Sequence, residues 1–112
     1  MFTIEKKILD VIIQRIRTLL EDELIAIIAY GSRVREDFHD TSDFDILIIV
    51  KKKSFALLNM INQIITEEET NSLNNFGVVV KGLNMFNQEK KFNTPFYQNI
   101  KNEGKVFYGG IE

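Results

Sequence analysis

Apolar residues along this chain fall into two spacings, and the change from one to the other sets out its elements. From Ile4 to Leu20, the residues Ile4, Ile8, Leu9, Ile12, Ile13, Ile16, Leu19 and Leu20 recur at steps of three and four, the period of a helix. Thr3 is placed to cap it. Glu21, Asp22 and Glu23 break the pattern, and Leu24 to Tyr30 follows as an unbroken, isoleucine-rich run of the length of a buried strand. Gly31 ends that run. A polar stretch intervenes, and Phe44 to Val50 forms a second buried strand bounded by Thr-Ser-Asp before it and Lys51 to Lys53 after it.

Ser54 then caps a helix whose apolar set is Phe55, Leu57, Leu58, Ile61, Ile64 and Ile65, with Glu67 to Glu69 as its solvated end. Asn71 to Asn75 reads as a turn and Phe76 to Lys81, centred on three valines, as a third strand. Gly82 to Asn93 has no clear period; Leu83, Met85, Phe86 and Phe92 are its expected anchors. Thr94 followed by Pro95 is a cap and first-helical-position pair, opening a short helix that buries Phe96, Tyr97 and Ile100 and stops at Gly104. Val106 to Tyr108 completes the series as a short strand. Helix, strand, strand, helix, strand, helix and a last strand give an α/β (α+β) layer structure. The link between the first two strands permits an antiparallel pair, and its thirteen residues are long for a simple turn, a length often given to function.

Bulk properties narrow the picture. At 112 residues the chain is expected to form one domain, 1–112, with room for a single site. A net charge of -2 argues against a protein that binds nucleic acid chiefly by neutralising phosphates. The absence of cysteine excludes disulfides, thiolate metal sites and cysteine nucleophiles, and suits a cytoplasmic protein. No apolar run reaches membrane-spanning length, and the charged amphipathic start is unlike a signal sequence.

The chemistry is concentrated between Ala29 and Val50. Asp43 and Asp45 stand two apart, so on an extended chain both carboxylates point to one side. Two close carboxylates repel unless a cation such as Mg²⁺ lets both stay ionised, and Mg²⁺ commonly fills its remaining positions with substrate phosphate. Gly31 allows close backbone approach to a phosphate and Ser32 adds a hydroxyl donor, while Arg33 and Arg35 carry positive charge nearby. The reading is a nucleoside triphosphate held at the glycine and serine, its metal at the aspartates.

Gly31-Ser32, ten residues, then Asp43-Phe44-Asp45, with an apolar strand on either side, resembles the minimal nucleotidyltransferases of the DNA polymerase β superfamily. The leading helix, the valine strand and the stretch from Pro95 to Val106 are similar to small members of that family over most of the chain. The resemblance implies a mixed β-sheet backed by helices. It implies that Gly31 and Ser32 contact the triphosphate of ATP, that Arg33 stands at a position often arginine, and that Asp43 and Asp45 bind Mg²⁺ as the catalytic pair. Small stand-alone members resemble antitoxins paired with a HEPN-domain toxin, which implies AMP transfer from ATP to a tyrosine of that partner.

The chain departs from the family at two places. The third strand reads Phe76-Gly77-Val78-Val79-Val80-Lys81, with Gly77 where the family commonly carries a third carboxylate that serves as metal ligand and base. Glu36 stands where a glycine is frequent. The alternative function is therefore a nucleotidyltransferase-fold protein with weak or no catalysis that neutralises a partner by binding it. Other readings carry less. The acidic cluster Glu36, Asp37, Asp40, Asp43 and Asp45 lacks the mid-loop glycine and flanking helices of an EF-hand. His39 reads as an exposed loop residue, and Lys51 to Lys53 as a solvated strand end. The isoleucine stripe of the first helix is core, its breadth leaving surface for a partner. Whether the chain is a monomer or an oligomer stays open.

Overall fold

In the computed structural model, the residues described are 3–30, 44–72 and 76–109. The stretch 31–43 lies outside them, and with it the expectations for Gly31, Ser32, Arg33, Arg35, Glu36, Asp37, His39, Asp40 and Asp43. Among the described residues the strands are β1 (Leu24–Tyr30), β2 (Phe44–Val50), β3 (Phe76–Gly82) and β4 (Lys105–Gly109), and the α-helices are α1 (Thr3–Leu20), α2 (Phe55–Ser72), α3 (Leu83–Lys91) and α4 (Pro95–Glu103). Helix α1 takes in Thr3 as its first residue instead of starting after it. Glu21–Glu23 forms a single tight 3₁₀ turn.

The strands form one mixed sheet in the order β3-β2-β1-β4. β1 runs antiparallel to both β2 and β4, and β2 runs parallel to β3 with α2 as the crossover. Because side chains alternate along a strand, the two inner strands sort their apolar residues onto two faces. Ile27, Ala29, Ile46, Ile48 and Val50 pack with Leu9, Ile12 and Ile16 of α1 and Ile61, Ile64 and Ile65 of α2. Ala26, Ile28, Leu47 and Ile49 pack with Phe86 of α3 and Ile100 of α4. Helices therefore cover both faces, which is why β1 and β2 read as continuous apolar runs instead of alternating ones.

Several expectations need correcting. Asn71 and Ser72, foreseen as part of a turn, are the last residues of α2, and the rest of that stretch, 73–75, lies outside the described residues. The acidic run on that helix is not simply solvated: Arg15 of α1 forks onto Glu67 and Glu68 at 2.6 and 2.8 Å, clamping α1 to α2. Most of the indeterminate region is a helix, α3, in which Phe86 is buried and Leu83 partly so while Met85 is 54% exposed; Phe92, just past the helix end, is 71% exposed, and neither Met85 nor Phe92 anchors the core. Helix α4 starts as foreseen, the Tyr97 amide donating to Thr94 Oγ1 at 3.2 Å behind Pro95. At its end Gly104 is required by close packing: a Cβ there would meet the Ile100 carbonyl oxygen and lie 2.8 Å from Ile28 Cγ2.

Ile48 is fully buried at the centre of the sheet between α1 and α2. Ile48→Ala is expected to lower unfolding free energy by about 2–5 kcal/mol, as large-to-small core changes do. Val11→Ala, at a position 45% exposed, is expected to change it by well under half of that, both read by urea denaturation with an unchanged m-value.

Candidate functional site

Of the residues expected to hold nucleotide and metal, Asp45 alone is among those described. Gly31, Ser32, Arg33 and Asp43 lie outside them. β1 ends at Tyr30, directly before Gly31, and the antiparallel register pairs Tyr30 with Asp45. The chain thus leaves β1 next to the point where it enters β2, at one end of the sheet. Asp45 projects to the same face as Leu47 and Ile49, the face covered by α3 and α4. It is half-buried there.

A set of side chains that the linear sequence did not reveal surrounds Tyr30. Its phenol is partly buried, and burial, with the negative charge of Asp45 as the smaller cause, raises its pKa above the usual tyrosine value. The Tyr30 ring meets Phe96 of α4 edge to face, with centroids 6.1 Å apart. The Lys81 ammonium lies 4.8 Å from the centroid of that same Phe96 ring and pairs with Glu89 of α3 at 2.7 Å. Glu89 also accepts a hydrogen bond from the Thr94 hydroxyl at 2.6 Å. The Lys81 and Thr94 hydrogen bonds hold the Glu89 carboxyl below the usual carboxylate range. The α4 cap, the β3 end and the β1 end are in this way tied to one another beside the candidate site. Tyr30 stood in plain view as the last residue of an apolar run, but only the strand register shows that it faces Asp45.

The parallel register pairs Asp45 with Gly77 of β3. Residues side by side in parallel strands share a face, so Gly77 occupies the position from which a carboxylate would join Asp45. The neighbours along that face are Val79 and Lys81, paired with Leu47 and Ile49. The nearest β3 positions on this face therefore add no acid.

The donor chemistry suits a hard cation. Asp45 supplies carboxylate oxygens at the end of the sheet, and its charge is felt by Tyr30 across a partly buried space where attraction for a cation is less screened than in bulk water. Among the described residues no group of three or more acids and histidines gathers as a metal set.

The sequence pattern described as Polymerase beta, Nucleotidyltransferase matches residues 14–110. The chain belongs to this nucleotidyltransferase family. A protein of Methanocaldococcus jannaschii, provisionally named a protein adenylyltransferase, is 26% identical over 108 residues, covering 93% of this chain and 98% of its own. A solved structure from Sulfolobus solfataricus, provisionally assigned as a nucleotidyltransferase, aligns with a TM-score of 0.60 at 21% identity, covering 92% of this chain and 78% of that one. A toxin-antitoxin structure with AMP-PNP aligns with a TM-score of 0.61 at 16% identity, covering 88% and 72%. At those identities the solved structures establish the shared fold, the mixed sheet backed by helices expected from the sequence.

The Tyr30 phenol is expected to ionise above the ordinary tyrosine value. Asp45→Asn is expected to lower its midpoint only part of the way, because burial is the larger cause. The check is tyrosinate absorbance against pH, compared with a Tyr30→Phe control to assign the phase.

Proposed function

We propose that the chain is a Mg²⁺-dependent nucleotidyltransferase that moves AMP from ATP to a hydroxyl on a protein partner, acting as the antitoxin of a HEPN-type toxin. The observation that carries this reading is the meeting of Tyr30 and Asp45 at one end of the sheet. It sets the end of β1 beside the start of β2. The relative named as a protein adenylyltransferase and the toxin-antitoxin structure with a nucleotide analogue supply the direction toward a protein acceptor.

In this reading Gly31 and Ser32 hold the triphosphate, with Arg33 adding charge, and Asp43 and Asp45 hold the metal. Bound Mg²⁺ supplies charge neutralisation at the phosphoryl oxygens and the departing pyrophosphate. The acceptor oxygen bonds to the α-phosphorus as the bond to the β-phosphate oxygen breaks, and pyrophosphate leaves with that electron pair. The acceptor proton passes to solvent. Asp43 and Asp45 would hold the cation that lets a triphosphate lie beside two carboxylates, and Tyr30, braced by Phe96, fixes the end of β1.

A second reading is favoured by one observation, the pairing of Gly77 with Asp45 where a base would otherwise stand. The protein would then restrain its partner by occupying it.

Incubation with labelled ATP, Mg²⁺ and the protein encoded beside it is expected to label that partner. The double change Asp43→Asn with Asp45→Asn is expected to reduce labelling by at least about a hundredfold while leaving the complex intact. If the double variant still protects cells from the toxin, binding suffices and the transfer reading is wrong.

Gly77→Asp is expected to raise the transfer rate at saturating ATP by about tenfold or more, since a positioned base contributes on the order of 10²–10⁴. An unchanged rate in a folded variant would show that the missing carboxylate does not limit the reaction.

A further inference from the structure

At the other end of the same strand pair lies a cavity of about 590 Å³. It opens where β2 and β3 finish, and in sheets with parallel strands the crevice beyond the carboxyl ends is a frequent ligand position. Its size falls within the range of small-molecule sites. Lys51, Lys52, Lys53 and Lys81 all line it, with Asn84 and Gln88 of α3 as further polar groups. Val79 and Met85 add an apolar portion. No acidic residue is among the described lining residues, and Glu89 engages Lys81. Four lysines around one recess in a chain of net charge -2 make a local concentration of positive charge that the whole-chain balance conceals.

The lysine segment is tied at its first residue and runs beside β3 at its last. The Lys51 amide donates to the Glu23 carbonyl at 2.9 Å, and Lys53 packs against the β3 end, where a Cβ on Gly82 would lie 3.7 Å from the Lys53 nitrogen. The segment thus passes close to Gly82, directly before the start of α3. That helix begins after Gly82 with no side-chain cap, so its first amides add donors to those of the lysines.

We propose that this cavity is a second anion site, which binds a compact polyphosphate such as the phosphate chain of a nucleotide. It is separate from the Asp45 end. Its lysine-rich edge is the distant part: five residues of extended chain lie between Asp45 and Lys51, about 20 Å at the rise of a strand, while Val79 at its nearer edge is two residues along β3 from Gly77. Phosphate oxygens are held by the Lys51 to Lys53 ammonium groups and the first α3 amides, while Val79 and Met85 offer an apolar surface to an attached base. Lys81, already paired with Glu89, contributes less.

The test is titration of the ¹⁵N-labelled full chain with tripolyphosphate, without Mg²⁺, followed by amide shifts. Shifts are expected at Lys51 to Lys53 and Leu83 to Met85. The double change Lys52→Ala with Lys53→Ala is expected to weaken binding at these amides by about tenfold or more, as loss of charge-assisted contacts does, with thermal midpoint unchanged. Asp45→Asn should leave this binding intact, which separates it from the nucleotide site proposed above. ATP binding here more tightly than tripolyphosphate identifies a nucleotide, and equal binding identifies the phosphate chain alone. Shifts confined to Tyr30 and Asp45, affinity unaltered in the lysine variant, or binding of a single-stranded oligonucleotide but neither small anion would overturn the proposal.

Discussion

Everything at the candidate site depends on the register between β1 and β2. Both strands are covered on both faces, so each side chain has an assigned layer: Ile27 and Ile48 go to the α1 and α2 side, Ile28 and Leu47 to the α3 and α4 side. A slip of one residue would exchange the layers and carry Asp45 to the face where Ile46 and Ala29 are fully buried. An unpaired carboxylate there would cost several kcal/mol. Core packing, rather than any contact made by the carboxylate, therefore selects the place where Asp45 emerges.

The same register transmits position sideways. Tyr30 lies on one side of Asp45 and Gly77 on the other, so three consecutive strands in the sheet present a phenol, a carboxylate and a glycine along one row. The phenol is steadied from above by Phe96, and Phe96 in turn by the helix cap at Thr94 and by the Lys81 to Glu89 pair. Exposed ion pairs contribute little to stability. This one is only about a fifth exposed at both partners, and its geometric effect is to hold α3, α4 and β3 together.

Strands β1, β2 and β3 were legible because their buried runs leave few other ways to hide so many β-branched residues, and α4 because Thr94 and Pro95 announce a helix start. Helix α3 was obscure for a physical reason: Leu83 and Phe86, three apart, share an inward face, whereas Met85 and Phe92 fall outside it, so its apolar residues do not form one stripe. The acidic run on α2 was misread because its partner, Arg15, lies about fifty residues earlier. Gly77 was recognised as standing at the position of the missing acid, but its neighbourhood was not, since parallel pairing of β2 with β3 is a property of the assembled sheet. Spacing alone pointed to Gly31, Ser32, Asp43 and Asp45, and of these the described structure carries only Asp45.

Strand β3 gives the two ends of the sheet different chemistry. At its start it contributes Gly77, with no side chain to set beside Asp45; at its end it contributes Lys81 to a recess already lined by Lys51 to Lys53. Parallel pairing makes this division unavoidable, because the carboxyl ends of β2 and β3 must lie together and away from the Tyr30 end of β1. The backbones of Asp45 and of the Lys51 to Lys53 segment are about one strand length apart, while the Lys81 side chain reaches back to Phe96. One connection between them runs through Lys81, Phe96 and Tyr30. A polyanion drawn to the lysines would compete with Glu89 for Lys81, the group that rests on the ring bracing Tyr30, so the two ends share a mechanical element although they share no ligand.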